Sequence, residues 1–309
     1  MISMNILHMK YAVEVAETGS INKASEILLV AQPNLSRSIK ELEADLGITI
    51  FERTRKGMTL TLEGSEFIGY ARRILDQISD VENMYRERTV QKQKFSVCTP
   101  RATYISDAFV NFSKYIGKIP AEVFYKETNS FQTIKNVASS DYKLGIVRYA
   151  ANFDKYFKSM FEEKGLHCEL VSEFSYKLIM SRNNQLADLA EIHYSDLTDY
   201  IEIAHADPYV PSLPLAEVMR TELPDNIKRR IFVFERGSQF ELLSENDETY
   251  MWVSPVPNGI LERYELVQRS CPDNMKIHKD MLIYRKDYML TELDKKFITE
   301  LCNSKRKYL

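Results

Sequence analysis

The sequence predicts an α + α/β protein: a small three-helix N-terminal domain closed by a hairpin, a long linker helix, and then a two-lobed α/β domain. Three observations predict it. Three short runs with helical apolar spacing fill the first 47 residues; one apolar stripe continues from about residue 63 to 90; and from residue 95 strand-like and helix-like segments alternate. A chain of 309 residues suits two or three such domains, each large enough to bury a core.

Met4, Leu7, Tyr11 and Val15 stand at helical spacing, and Thr18-Gly19 ends that first helix. Ser20 is placed to cap a short second helix carrying Ile21, Ala24, Ile27 and Leu28. Gln32-Pro33 opens a third, because proline at the first helical position sacrifices no hydrogen bond. Its apolar face is Leu35, Ile39, Leu42 and Leu46, and Gly47 closes it. The tight turn between the second and third helices makes a helix-turn-helix. Residues 48–53 and 58–61 then flank the basic tip Thr54-Arg55-Lys56-Gly57, which describes a hairpin, or wing.

From Glu63 to about Val90, the positions Phe67, Ala71, Ile74, Ile78, Val81 and Tyr85 follow one another at alternating steps of four and three. That is a coiled-coil seam. A helix of about 25 residues spans roughly 37 Å, too long to pack only on a domain of this size, which predicts pairing with a second chain. Its alternative is a helix lying along its own C-terminal domain.

Polar residues 91–94 mark a linker. Strand 95–99, helix 103–116, strand 122–126, helix 130–138, strand 144–149 and a helix near 152–161 follow in βαβ rhythm, which implies a parallel sheet wrapped by helices. A second run has strands near 168–172, 176–180, 201–204, 230–234 and 250–254, with helices near 215–221 and 238–245. The chain returns through residues 276–284 to a final helix, 291–304. The expected domains are therefore 1–64 for the winged helix-turn-helix, 65–91 for the linker helix, and 92–309 for the α/β part, with lobe I at 92–165 and 268–309 and lobe II at 166–267.

Composition narrows the function classes. Net charge is −3, and residues 1–90 hold 11 Lys+Arg against 13 Asp+Glu, so any attraction to nucleic acid must come from a few local groups. The four cysteines, Cys98, Cys168, Cys271 and Cys302, form no C-x-x-C pair and adjoin no histidine cluster, which predicts no metal site and reduced thiols. Redox sensing through Cys168 or Cys271 is the alternative. Lys10, Glu14 and Glu17 interrupt the N-terminal region where an export signal needs an apolar run, and no stretch approaches about 18 apolar residues, so a cytoplasmic protein without membrane contact is expected. G-x-G-x-x-G, P-loop, G-x-S-x-G and H-E-x-x-H motifs are missing, which argues against an enzyme and predicts no cofactor.

Over residues 7–64 the sequence resembles the LysR-type transcriptional regulators. The matching residues are Gly19-Ser20, Ala24, Leu28, Gln32-Pro33, Leu35-Ser36-Arg37, Ile39, Leu42-Glu43, Leu46-Gly47, Phe51-Glu52-Arg53, Leu60-Thr61 and Gly64. Lys23 and Ala31 depart from the family pattern, and Ala31 weakens the cap of the third helix. The resemblance implies a bacterial regulator acting as a homodimer or homotetramer on a dyad in double-stranded DNA, with RNA polymerase among its conceivable partners. It also implies that Gln32, Pro33, Ser36 and Arg37 contact DNA. Their chemistry agrees, since arginine can bond guanine in bidentate fashion and Gln32 or Asn34 adenine. Arg55 and Lys56 at the wing tip, with Arg53 behind them, are placed to reach the minor groove or its phosphates, ordinary surface charge being the alternative. Glu41, Glu43 and Asp45 are expected to point away from the duplex.

The C-terminal part matches the family in layout alone, as a two-lobed effector-binding domain similar to periplasmic binding proteins. In such folds ligands sit outside the carboxyl ends of strands, beside helix N-termini. Three junctions fit: Thr99-Pro100-Arg101-Ala102-Thr103, Thr128-Asn129-Ser130 and Arg236-Gly237-Ser238-Gln239. Hydroxyls, amides and arginines there favour a small anionic effector such as a carboxylate. The resemblance places Thr99, Thr103, Thr128 and Arg148 in the cleft; the junctions add Arg101, Asn129 and Ser238. Each hydroxyl or amide is equally an ordinary helix cap. His205 and Asp207, in one loop, are further candidates. A stand-alone small-molecule binding protein is the rival function, and it leaves residues 1–90 without a role.

Overall fold

The computed structural model describes residues 4–54, 57–85, 92–207 and 227–309. Contacts within it separate two units, Met1–Gln91 and Lys92–Leu309.

In the first unit, α1 (Ile6–Thr18), α2 (Ile21–Leu28) and α3 (Gln32–Leu46) form as their end signals dictate. The Asn5 side chain accepts from the Leu7 amide at 2.9 Å, and Gly19 ends α1 in the left-handed conformation. Ser20 accepts from the Lys23 amide, whereas α3 has Pro33 in its first turn and no side-chain cap on Ala31. Strands β1 (Phe51–Thr54) and β2 (Gly57–Leu60) pair antiparallel with Phe51 opposite Leu60. One core joins these elements: Ala12, Val15, Ala24, Leu35, Ile39, Leu42, Ile50, Phe51 and Ile68. Glu43 serves this core's edge, its carboxylate accepting from the Ile50 and Phe51 amides at 2.7 and 3.1 Å.

Two glycines permit close backbone approach. A Cβ on Gly57 would lie 2.6 Å from the Gly19 carbonyl oxygen, and one on Gly64 would lie 2.0 Å from that of Ile50. Helix α4 (Leu62–Tyr85) buries Ile68 and Ala71 against the domain, but along its later turns Ile74 and Ile78 are half-buried and Val81 is 55% exposed. The wing-tip residues Arg55 and Lys56, the continuation of α4 beyond Tyr85, and the expected helix near 215–221 lie outside the described residues.

The second unit is two five-stranded sheets. Lobe I orders its strands β4 (Ala121–Glu127), β3 (Gln93–Thr99), β5 (Leu144–Ala150), β12 (Ile277–Arg285) and β6 (Leu166–Ser175). Helices α5 (Thr103–Ser113), α6 (Ser130–Ala138), α7 (Asp154–Glu163) and α10 (Glu292–Tyr308) cover it. Lobe II orders β11 (Leu266–Arg269), β7 (Lys177–Ser181), β10 (Thr249–Val253), β8 (Ile201–His205) and β9 (Arg229–Val233), with α8 (Gly237–Glu245) and α9 (Asn258–Arg263). The lobe I core centres on Phe95, Phe112 and Phe297, whose ring centroids lie 4.3 to 5.7 Å apart.

The expected parallel sheet needs correction. β3, β4 and β5 run parallel, but β12 pairs antiparallel with both β5 and β6; in lobe II, β7 pairs antiparallel with β10 and β11. The two reversed strands are those that carry the chain from one lobe into the other. Lobe boundaries move as well. Residues 166–175, expected in lobe II, belong to lobe I: β6 runs along β12, and its Leu166 and Val171 pack with Ile283 and Leu282. The chain crosses at Tyr176, because Leu178 and Met180 enter the lobe II core with Tyr250. On the return, β11 extends to Arg269 and keeps 268–269 in lobe II.

Candidate DNA-reading helix and interlobe cleft

The N-terminal end of α3 is a polar, exposed ridge on an apolar base. Leu35, Ile39 and Leu42 anchor the helix in the core, which leaves Gln32, Pro33, Asn34 and Arg37 exposed and Ser36 half-buried on the outward side. Arg37 is 81% exposed, and its Nε lies 3.3 Å from the Glu41 carboxylate one turn along. Lys40, exposed four residues beyond Ser36, extends the ridge; its helical spacing alone could have nominated it. Arg53 is exposed on β1.

In the second unit a cavity of about 320 Å³ opens between the lobes, where β3, β4, β5 and β8 end. Lobe I contributes Arg101, Thr128, Asn129, Ser130, Arg148 and Tyr149; lobe II contributes His205, Asp207, Met251 and Trp252. Four of the expected effector residues, Arg101, Thr128, Asn129 and Arg148, therefore share one cavity. Three do not. Thr99 is fully buried, its hydroxyl donating to Tyr125 at 3.2 Å; Thr103 is buried in the first turn of α5; and Ser238 is exposed on α8, away from the cavity. Thr99 and Thr103 were expected there from the resemblance and Ser238 from its place at a helix start, and neither signal fixes the direction a side chain takes.

Charges lining the cavity are compensated from within. Arg148 Nε and Nη2 donate to the two Asp280 oxygens at 2.8 and 2.6 Å, and Asp280 has no exposed surface. Burial disfavours the Arg148 cation, but Asp280 outweighs it and holds the guanidinium charged; the aromatic ring of Phe174 adds its face at 4.7 Å. Glu202 pairs with Arg230 at 2.6 Å, and burial raises its carboxyl above the usual range. Burial, helped by nearby cations, pushes His205 down to about 4 and His278 down to about 3, so both are neutral imidazoles at pH 7. Among the described residues, neither buried Nδ1 has a hydrogen-bond partner.

Polar contacts among the described residues bridge the lobes, Asn129 to Asp207 being one of them. Arg101 donates to Asp207 at 2.8 and 3.3 Å, and Arg236 lies 3.0 Å from Glu127 and donates to Ser106 at 2.9 Å. Sequence reading missed the rest of the lining, including Trp252, Tyr176 and His278, because these residues come from strands that meet only in the folded unit. Cys98, Cys168 and Cys271 carry thiols raised by burial, Cys98 to about 11, so none of the three has the depressed pKa of a reactive thiolate.

Residues 6–65 match the family described as bacterial regulatory helix-turn-helix protein, lysR family. The N-terminal domain is of LysR type. Among HTH-type relatives, YcgK of Bacillus subtilis, named an uncharacterized HTH-type transcriptional regulator, is 42% identical over 101 residues, 32% of this chain and 31% of that protein. The HTH-type transcriptional regulator AlsR of the same organism is 22% identical over 292 residues, 92% of this chain and 91% of its own. The higher-identity relatives are thus matched over about a third of their length or less. A solved variant of full-length OxyR from Pseudomonas aeruginosa superposes with a TM-score of 0.64 at 14% identity, covering 99% of each chain. Full-length CbnR in complex with its target DNA gives 0.55 at 19% identity, covering 97% of this chain and 100% of that one. The whole chain has the fold of full-length LysR-type regulators, and YcgK and AlsR are both named HTH-type transcriptional regulators.

Proposed function

We propose that this LysR-type chain is a DNA-binding transcription regulator that acts in the cytoplasm as a homodimer or homotetramer, with RNA polymerase a further partner. It reads a dyad site with α3 and responds to a small anionic effector held between the lobes of its second unit. The observation that carries the DNA reading is the exposed ridge Gln32, Pro33, Asn34, Ser36 and Arg37 on an α3 whose opposite side is fully buried. Short polar groups at a helix start reach base edges, while Arg53, Arg55 and Lys56 suit phosphates. Support for the effector reading comes from Arg101, Thr128, Asn129 and Arg148 sharing the interlobe cavity; Arg148 is held by the fully buried Asp280, whereas Arg101 is paired with the partly exposed Asp207, so Arg101 and Asn129 are the more available groups for an anion.

Fluorescence anisotropy with the full chain on its own upstream DNA tests this reading. Arg37→Ala should lose the preference for the dyad over scrambled DNA, a change of about 1–3 kcal/mol per half-site. Lys56→Ala should weaken all DNA alike and lower the salt slope by about 1. Equal affinity of Arg37→Ala and wild type for the dyad would sink the assignment of α3.

A further inference from the structure

The cleft also bears on what kind of effector it admits, an inference that rests on the effector reading just given. We propose that the effector is a monocarboxylic acid with a flat or apolar body, and that its carboxylate takes the place which Asp207 now holds on Arg101 and Asn129.

Asp207 already occupies that place as a ligand would. Its two carboxylate oxygens accept from Arg101 Nη1 and Nη2 at 2.8 and 3.3 Å, and Asn129 Nδ2 approaches its Oδ2 at 3.5 Å and its carbonyl oxygen at 3.3 Å. Asn129 is also the N-cap of α6, so the carboxylate sits beside a helix start, where the dipole favours negative charge. The other buried ion pairs of the cleft, Arg148 with Asp280 and Glu202 with Arg230, each join residues of one lobe. Among the described residues lining this cavity Arg101 differs in drawing its anion from the opposite lobe, as Arg236 does with Glu127 outside it. Both partners keep some solvent access, 13% for Arg101 and 29% for Asp207, so an incoming carboxylate can replace Asp207 while Asp207 turns to water.

An independent observation points to a ligand in the same cavity. His278 lines it, is 6% exposed, and has an Nδ1 without a hydrogen-bond partner among the described residues. Buried polar atoms are rarely left unmatched unless something else satisfies them. The walls set the body of the ligand. Tyr149 stacks on Phe157 at 4.2 Å and Tyr176 on His278 at 4.0 Å, and Met251 and Trp252 close the lobe II side. About 320 Å³ is at the small end for ligand pockets, enough for one ring or a short chain. A second carboxylate would meet an Arg148 already neutralised by Asp280, and the Glu202–Arg230 pair on the wall offers no spare positive charge, which favours a ligand with one negative charge. Lys276 on the same wall has interactions of its own.

Because Asp207 competes with the ligand, the apparent dissociation constant is the intrinsic one divided by the fraction of molecules with Arg101 released. If that fraction is about one tenth, removing the competitor tightens binding about tenfold. Trp252 is the chain's single tryptophan and lines the cavity, so its emission reports occupancy directly. The experiment titrates the full chain with benzoate and hexanoate, and with benzamide and hexanamide as uncharged counterparts, in wild type, Asp207→Asn and Arg101→Gln, each checked for an unchanged circular dichroism spectrum. Asp207→Asn should bind at least one of the acids about tenfold more tightly than wild type, the amides should bind far more weakly, and Arg101→Gln should lose the acids.

Acid affinity that is unchanged or weaker in Asp207→Asn overturns the proposal, as do amides that bind as tightly as acids, or a Trp252 signal silent to every probe in the correctly folded Asp207→Asn chain. Promoter affinity in the same samples separates the broader reading. Acids that move Trp252 emission without moving DNA affinity leave this subsite standing and remove the effector role. DNA affinity that responds while Trp252 stays silent does the reverse.

Discussion

Arg37 and Arg101 each hold a carboxylate of their own chain, Arg37 that of Glu41 and Arg101 that of Asp207, so these two arginines are engaged before any partner arrives. Arg148 is engaged more deeply, by the fully buried Asp280, and this decides that it shapes the cleft rather than supplying a spare charge. The histidines behave differently, because burial disfavours their charged forms. His205 and His278 sit near 4 and 3 in the folded chain, below their ordinary value of 6.5. Between pH 6.5 and about 4 the unfolded chain therefore binds protons that the folded chain refuses, and stability falls as pH falls through that window. Each such proton is worth about 1.4 kcal/mol per pH unit at most. Urea denaturation should show wild type losing roughly 2 kcal/mol more between pH 6 and 5 than the His205→Gln/His278→Gln variant, whose carboxylates titrate the same way. Parallel pH profiles for the two proteins would contradict the burial argument. His205 was nameable from its loop; that its Nδ1 is buried, and that His278 joins it, was not.

At the level of elements, end signals were the most legible part of this chain. Asn5, Ser20, Pro33, Gly19 and Gly47 act through the backbone within one turn, so their effect is already present in a local stretch of sequence. Long-range demands were less legible. Gly64 was readable as a family position, but its reason is the Ile50 carbonyl oxygen, which would lie 2.0 Å from a Cβ there. Gly64→Ala should accordingly cost roughly 3 kcal/mol, since backbone must move to admit the methyl group. Hydrogen exchange on the full chain checks it, with lost protection expected in α1 to α3 and little change in the second unit. Likewise Glu43, expected only to point away from DNA, is held by the amides of Ile50 and Phe51. No spacing rule links those three residues, because they are brought together by the turn after α3.

At the scale of the whole molecule, α4 leaves part of its apolar stripe uncovered within its own unit. Within its unit, α4 is packed through Ile68 and Ala71, then presents Ile74, Ile78 and the 55%-exposed Val81 on the stripe that the sequence reads as a seam. A second chain covering that stripe would bury it. Val81→Asp should therefore lower the mass measured by light scattering to that of a smaller assembly, and reduce dyad affinity toward the non-specific level, without loss of helix content. An unchanged mass would return α4 to the role of a helix packed within its own chain. No helix among the described residues is long and apolar enough to cross a membrane. By itself the sequence determined the helix-turn-helix, the wing, the linker helix and the alternation of the second unit, because apolar periodicity and end caps are local properties written in consecutive residues. Tertiary structure alone decided which strands run backwards, where the chain changes lobes, and which candidates share a cavity. Thr99, Thr103 and Ser238 fell away while His278 and Trp252 entered, because strand order and side-chain direction emerge only when distant segments pack on one another.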